Sequence, residues 1–314
     1  MKDLLLHIET LYGLKNLKDP QKVEKGILSE NHIISDGTTK YFLKKYRFTD
    51  GDKIKEIHDA KNFFAVDGIP VILPILTKDN QSFFSYEGGF YTLFPFVEGR
   101  QPERGKISDR AVVSIAKMLA KIHLIGRKST IQTEDLIQTR TPEDFIKIYN
   151  EIQEVLAKIV LPTEYDVLAK KSLELKKKLV LSNESKYGDI NLPNDHLIHG
   201  DYVDYNIFFD DNDEVSHVFD FEKTRYAPRV FELFRSMMLC GVDQKLYIEA
   251  YNEVYPISKE ELQKGFTNYF VKQSRSLWLE SEHYLKNNSR PDQFLPEEYE
   301  RLLKLEKNNN FLNL

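Results

Sequence analysis

Cysteine is almost absent from this chain: Cys240 is the single one in 314 residues. It can form no internal disulfide, as is typical of proteins in the reducing cytoplasm. No block of lysine and arginine resembles a nucleic-acid patch and the net charge is −5, so the composition gives no reason to expect a nucleic-acid partner. The longest apolar run, 69–76, contains two prolines and is too short to cross a bilayer. These absences predict a cytoplasmic protein with neither a membrane nor a nucleic-acid partner.

Glycine-rich phosphate-binding motifs are missing as well. The sequence contains neither a P-loop nor a G-x-G-x-x-G fingerprint, which disfavours Walker-type and Rossmann-type nucleotide binding. The hydrophobic fraction of 41% and the charged fraction of 30% are nevertheless ordinary for a globular protein. The length is sufficient for two lobes with substantial cores.

What the sequence does contain is a set of acids and an amide at a defined spacing. The segment from His199 to Asn206 has the order His, any residue, Asp, four residues, Asn, and Asp220-Phe221 follows. The catalytic loop of a protein kinase has this order, with a metal-binding Asp further on in an Asp-Phe pair, and phosphoryl transfer needs a base and two metal ligands. Apolar runs on either side of the segment predict short strands, and 210–213 predicts a hairpin turn.

Each of these residue types suits one role in phosphoryl transfer. Asp201 would accept the proton of an acceptor hydroxyl and hold its oxygen in line with the phosphorus. Asn206 and Asp220 would supply hard oxygen ligands for Mg²⁺, which keeps waters and phosphates as its other ligands. Asp and Asn after short apolar runs are also common turn residues, but the complete set at this spacing favours the catalytic interpretation.

The same residues carry a family resemblance. The segments His199–Asn206 and Phe219–Glu222 resemble those of the aminoglycoside phosphotransferase and choline kinase family, small-molecule kinases with a protein-kinase fold. The resemblance implies an α+β, bilobal, protein-kinase-like fold. Residues 1–97 would form the N-lobe, a small antiparallel β-sheet with one main helix, and 98–314 a larger, mostly helical C-lobe. Glu222 stands where protein kinases have Gly, and no activation segment follows, which favours a small-molecule over a protein substrate.

Hydrophobic periodicity agrees with that fold. Asp36-Gly37 between β-prone runs predicts a hairpin, and an amphipathic helix is predicted over 52–66. Further strands are predicted over 71–76, 82–86 and 90–97. The pattern then becomes helical, with helices predicted near 108–126, from Thr141-Pro142 onward, and over roughly 164–179, 229–239, 244–254, 258–286 and 296–306.

The resemblance also implies a lysine for the phosphates and a helix acid that holds it. Lys44 matches the family's lysine at the end of the third strand, and strand alternation turns its neighbour Lys45 to the opposite face. The expected partner is Glu56 on the following helix, with Asp59 as a rival on the same helix. Such a pair would aim the ammonium at the phosphate oxygens.

The remaining nucleotide contacts are implied in two loops. Ser29 and Asn31 occupy the position of a glycine-rich loop, although an ordinary β-turn explains that segment equally well. In the hinge, the segment between the two predicted lobes, Pro95 would offer its carbonyl and Val97 its amide to a purine. Proline lacks an N–H and therefore suits only the acceptor position. An edge strand that ends at a turn is the alternative for the hinge.

The resulting hypothesis is a kinase that uses Mg²⁺ with ATP or GTP to phosphorylate a hydroxyl of a metabolite or an aminoglycoside-like acceptor. The alternative is a pseudokinase-like module that binds nucleotide with weak or no turnover. The sequence leaves open the identity of the acceptor, the choice between ATP and GTP, and the oligomeric state. An aromatic side chain beside carboxylates favours a cationic substrate modestly. The candidate substrate contacts cluster late in the chain and are Arg275, Trp278, Glu280, Glu282, His283 and Tyr284.

Overall fold

An antiparallel sheet forms the N-terminal region of the computed structural model, which describes residues 1–23, 30–102, 106–133, 140–183 and 192–307. Its five strands are ordered β1-β2-β3-β5-β4. The strands are β1 Lys18–Lys22, β2 Glu30–Ser35, β3 Lys40–Lys45, β4 Phe84–Tyr86 and β5 Gly89–Pro95. The predicted Asp36-Gly37 hairpin joins β2 to β3, and Gly37 has a positive φ of 96°, a conformation that glycine adopts without strain.

Two helices pack with this sheet. Helix α1, Lys2–Tyr12, buries Leu4 and Ile8 in one cluster with Leu43 and Leu93 of the sheet. Helix α2, Gly51–Val66, begins at Asp50, whose carboxylate accepts from the backbone N–H of Asp52, the usual function of an N-cap acid. The predicted helix over 52–66 is therefore confirmed.

The predicted strand over 71–76 is wrong. In the described chain this segment is irregular, and Val71 alone forms an isolated bridge, to Val218. Pro74 has no N–H with which to continue a ladder. The apolar side chains of the segment give it a strand-like composition without the backbone pairing of a strand.

Short strands and helices follow the sheet. Strands β6 His196–Ile198, β7 Ile207–Phe209, β8 Val215–Val218 and β9 Arg225–Ala227 pair as β6-β9 and β7-β8. The turn at 210–213 joins β7 to β8 as predicted. The helices are α3 Asp109–Gly126, α4 Pro142–Leu156, α5 Glu164–Ser182, α6 Arg229–Cys240, α7 Gln244–Val254, α8 Lys259–Ser274, α9 Trp278–Lys286 and α10 Leu295–Lys307.

The single helix predicted over 258–286 is two helices. Helix α8 ends at Ser274, and α9 begins at Trp278. Leu277, between them, is fully buried in a cluster with Phe145 and Val180. Burying this leucine turns the chain, and no Gly or Pro marks the turn in the sequence.

The chain groups into two compact units. One comprises Met1–Asp135, His196–Tyr226 and Leu239–Tyr255, and the other Leu136–Asp195, Ala227–Met238 and Pro256–Leu314. The segment from His199 to Asn206 thus belongs with the N-terminal residues, and the predicted division into 1–97 and 98–314 stays a prediction. In the described part of the chain, no helix has the length and apolar character needed to cross a membrane.

Candidate active site

The candidate catalytic loop, His199 to Asn206, begins with a backbone that only glycine accommodates. Gly200 has a φ of +84°, and a Cβ at this position would overlap the carbonyl oxygen of Lys223. The chain can therefore turn sharply between strand β6 and Asp201. Asp201 is buried directly after this turn.

His199 braces the loop. Its Nδ1 accepts from the backbone N–H of Asp201 at 3.2 Å, which makes Nε2 the protonated nitrogen, and Nε2 donates to the carbonyl of Phe219 at 2.9 Å. The ring also lies against Phe221, with 4.3 Å between centroids. The histidine thus ties the catalytic loop to the segment that carries Asp220.

Asn206 and Asp220 are brought together by the β7-β8 hairpin. The backbone N–H of Phe219 donates to the carbonyl of Asn206 at 3.1 Å, so that Asp220 follows directly beside it. The side-chain amide of Asn206 donates through Nδ2 to the carbonyl of Asp201 at 2.9 Å, which leaves its Oδ1 as a potential ligand. Asp220 adopts a left-handed backbone with a φ of +65°, a strained conformation common at functional sites.

Lys44 reaches the same place from strand β3. Its Nζ lies 3.0 Å from Oδ1 of Asp220 and 2.6 Å from Oε1 of Glu222. Burial disfavours the charged amine, but the two carboxylates outweigh burial and raise the pKa of Lys44 above its ordinary value. Burial likewise opposes ionisation of Asp220, yet the ammonium of Lys44 outweighs it and lowers the pKa of that carboxyl.

The neighbouring lysine faces away from these acids. Lys45 lies on the other side of β3 and pairs with Glu30 at 3.7 Å. Of the two lysines considered from the sequence, Lys44 is therefore the one beside Asp220.

The expected pair between Lys44 and Glu56 is corrected by the structure. Among the described residues, Glu56 pairs with Lys53 at 3.1 Å, on its own helix, while Glu222 occupies Lys44. The rival Asp59 pairs with Lys55.

The orientation of helix α2 explains this difference. Glu56 and Asp59 lie outside its buried stripe, which consists of Ile54, Ile57, His58, Ala60, Lys61 and Phe64. The helix thus presents a lysine rather than an acid on its buried face.

That lysine, Lys61, is almost fully buried. Its Nζ donates to the carbonyl of Ile72 at 3.2 Å and lies 4.1 Å from the centroid of the Phe94 ring. Burial, reinforced by the ammonium of Lys44, lowers the pKa of Lys61 to about 7.

Asn31 lies directly opposite Lys44 across the β2-β3 ladder, and such cross-strand pairs share one face of a sheet. Its side-chain Oδ1 is buried and has no hydrogen-bond partner among the described residues. Ser29 lies outside the described residues. Pro95 ends β5, opposite Tyr41, and Val97 is half-buried in the segment that follows.

The residues present fit a magnesium ion. Across the described ranges, no three His, Cys, Asp or Glu side chains are grouped so that they could hold a metal by themselves. Asn206 and Asp220 instead offer one amide and one carboxylate oxygen, which suits an ion that takes its other ligands from water and phosphates, as Mg²⁺ does.

The substrate-contact candidates from the sequence belong to the second compact unit, and several are already engaged there. Glu280 is fully buried and binds Lys176 through both carboxylate oxygens, at 2.7 and 2.9 Å. His283 bonds Asp292, and Tyr284 donates to a carboxylate within the same unit. Glu280 is therefore a structural ion-pair residue rather than an open ligand contact.

The chain matches the model of the phosphotransferase enzyme family over residues 20–264 and belongs to that family. This membership confirms the predicted resemblance and the predicted enzyme class. Homoserine kinase of Methylobacillus glycogenes is 25% identical over 115 residues, 37% of this chain and 36% of that protein. The match thus spans about a third of that relative's length.

Solved structures confirm the fold. Spectinomycin phosphotransferase, in complex with ADP and spectinomycin, gives a TM-score of 0.72 at 15% identity, covering 97% of this chain and 94% of that one. Amicoumacin kinase, in complex with AMP-PNP, Ca²⁺ and Ami, gives 0.64 at 12% identity, covering 96% and 92%. These likenesses confirm the predicted α+β, protein-kinase-like fold class.

Three residues of the site escaped the sequence-based prediction: Lys61, Glu222 as the partner of Lys44, and Lys223. For Lys61 a signal existed, since it falls on the apolar stripe of α2 between Ile57 and Phe64. Glu222 and Lys223 directly follow the Asp-Phe pair, but their partners lie far away in the sequence.

Proposed function

We propose that this chain is an ATP- or GTP-dependent kinase that transfers the γ-phosphoryl group to a hydroxyl of a small molecule. The observation that supports it is the convergence of Lys44, Asp201, Asn206 and Asp220 from separate segments of the chain. An ammonium, a buried carboxylate and two further oxygen donors at one place are what phosphoryl transfer requires.

The proposed reaction assigns one task to each group. The acceptor hydroxyl oxygen forms a bond to the γ-phosphorus, the bond between phosphorus and the bridging oxygen breaks, and the nucleoside diphosphate leaves with that electron pair. Asp201 takes the hydroxyl proton. Lys44 binds phosphate oxygens, held in place by Glu222, and Asn206 with Asp220 would hold Mg²⁺, which neutralises phosphate charge when it is bound.

The nucleotide would lie along β2, β3 and the hinge. Asn31 supports this position because it lies on the same sheet face as Lys44, and its buried Oδ1 has no hydrogen-bond partner within the described part of the chain. Pro95 and Val97 would contact the purine with their backbone, and Ser29 would contact the phosphates. Relatives named for homoserine and spectinomycin support a small alcohol as acceptor.

The test is a measurement of nucleoside diphosphate release with Mg²⁺ and ATP or GTP against alcohols, amino alcohols, sugars and aminoglycosides. We expect at least one acceptor to stimulate release, and Asp201→Asn to lower that stimulated rate by about 100-fold or more. Asp211→Asn, at the exposed tip of the β7-β8 turn, is the control.

Two results would contradict the proposal in different ways. Undiminished turnover in Asp201→Asn would remove that carboxylate from the role of base. Stabilisation by Mg·AMP-PNP without release for any acceptor would instead indicate a nucleotide-binding module without turnover.

A further inference from the structure

The carboxylate of Asp201 has a cation beside it. Nζ of Lys223 lies 2.8 Å from Oδ2 of Asp201, within the range of strong, charge-assisted hydrogen bonds. The Asp201 side chain is 8% exposed and that of Lys223 is 37% exposed. The ammonium therefore has an open side, on which a ligand can approach it.

The catalytic loop itself supplies no positive charge. Between His199 and Asn206 the sequence carries two acids, Asp201 and Asp204, and no lysine or arginine. A base in this loop must work close to a nucleoside triphosphate, and like charges repel strongly where water is excluded. The cation that offsets this repulsion has to come from outside the loop.

The position of Lys223 is fixed by its backbone. It ends a 3₁₀ helix, Phe221–Lys223, and its carbonyl packs against Gly200, where a Cβ would not fit. Nε of Arg225 donates to the same carbonyl at 3.0 Å. The turn that follows Asp220 thus delivers an ammonium to Asp201 and a carboxylate, Glu222, to the phosphate lysine.

We propose that Lys223 is a positioning residue for phosphoryl transfer. Its ammonium holds Oδ2 of Asp201 and offsets the repulsion between this carboxylate and the incoming phosphoryl group. During transfer the hydroxyl proton passes to Asp201, and Lys223 keeps its own protons. This role rests on the proposed function of Asp201 as base.

The experiment uses full-length chain, Mg·ATP and an acceptor that stimulates ADP release by the wild type. Three variants are compared: Lys223→Met removes the charge at similar length, Lys223→Arg keeps it, and Lys223→Ala opens space for an added alkylammonium ion. Lys117→Met is the matched control, since Lys117 is 39% exposed and pairs with Glu253 at 2.6 Å. Melting temperature and Mg·AMP-PNP binding are measured for every variant.

We expect Lys223→Met to lower kcat by about 100-fold, the scale for losing one preorganised donor in an active site, with Mg·AMP-PNP affinity within about threefold of the wild type. The KM for the acceptor should change much less than kcat, because the charge matters most in the transition state. Lys223→Arg should recover part of kcat, and ethylammonium should restore Lys223→Ala in a saturable way. An ion pair that only stabilises the fold would give neither the recovery of kcat nor a fall in kcat that KM does not share.

Two results would overturn the role of Lys223 while leaving the proposed kinase intact: a kcat of Lys223→Met equal to that of Lys117→Met, or a loss that neither arginine nor ethylammonium restores. If Lys223→Met fails to fold, the arginine and alanine variants decide in the same way. A wild type that binds Mg·AMP-PNP and releases no ADP with any acceptor would overturn the proposed kinase, and the role of Lys223 with it.

Discussion

Oε1 of Glu222 lies 2.6 Å from Nζ of Lys44, and this ion pair determines how the side chain of Lys44 is held. Glu222 is buried, and its second oxygen lies 3.6 Å from Nε of Arg47. The lysine is therefore anchored by the turn that also carries Asp220, and helix α2 supplies no acid to it. In the proposed kinase, this one turn would couple phosphate binding to metal binding.

Glu222→Gln should weaken nucleotide binding. The substitution removes the charged partner of a buried lysine, and charge-assisted hydrogen bonds contribute about 1.5–3 kcal/mol. We therefore expect the KM for ATP to rise roughly 10- to 100-fold by steady-state kinetics. Glu56→Gln removes a partner of Lys53 instead and tests the rival assignment. A larger loss in Glu56→Gln than in Glu222→Gln would return the anchoring role to α2.

Asp220→Ala should abolish the dependence of nucleotide binding on magnesium. The substitution deletes the one carboxylate of the proposed ligand pair, so Mg²⁺ would keep only the amide of Asn206 from the protein. Calorimetric titration of AMP-PNP at increasing Mg²⁺ measures this dependence. Asp211→Ala, an exposed acid of the β7-β8 turn, should behave as the wild type. A normal magnesium response in Asp220→Ala would refute the ligand assignment.

Lys61 should make the stability of the protein depend on pH. Its pKa is lowered to about 7 in the folded chain, against about 10.4 in an unfolded one. Between these values the unfolded chain binds more protons, so the free energy of unfolding rises with pH, by at most about 1.4 kcal/mol per pH unit. Below about pH 7 both states are protonated, so the free-energy penalty of burying the charged Lys61 is present in full.

Lys61→Met removes this penalty. We expect it to raise the free energy of unfolding more at about pH 7 than at about pH 9.5, measured by urea denaturation. Lys117→Met, at a partly exposed lysine, should have the same small effect at both pH values. A Lys61→Met effect that does not change with pH would show that the buried amine does not titrate in this window.

Gly200→Ala should destabilise the protein strongly. Gly200 combines a φ of +84° with a Cβ direction that points into the Lys223 carbonyl, so conformational strain and overpacking add to roughly 2–5 kcal/mol. Gly68→Ala is a matched control, because its φ is +86° and nothing lies within 4 Å of an added Cβ. It should cost about 1–2 kcal/mol. Equal losses in chemical denaturation would mean that the turn beside Gly200 can move at little cost.

Local pattern predicted much of the fold. The Asp36-Gly37 hairpin, the helix start at Thr141-Pro142 and the helix start near residue 108 depend on neighbouring residues, and all three are present. The failures have a different origin. At 71–76 the apolar composition is that of a strand, but only Val71 forms a bridge, and Pro74 has no N–H with which to continue a ladder. At the end of α8, the burial of Leu277 breaks a helix whose sequence pattern continues.

The sequence by itself determined the catalytic loop, because the spacing from His199 to Asn206 and the following Asp220 is a local property of the chain. Tertiary structure alone decided which charges meet there. Lys44 pairs with Glu222 rather than with Glu56, because of how helix α2 is rotated. Asp201 pairs with Lys223, because the turn that carries Lys223 packs closely on Gly200. Spacing along the chain does not encode these contacts; the burial of apolar side chains and the exclusion of overlapping atoms do.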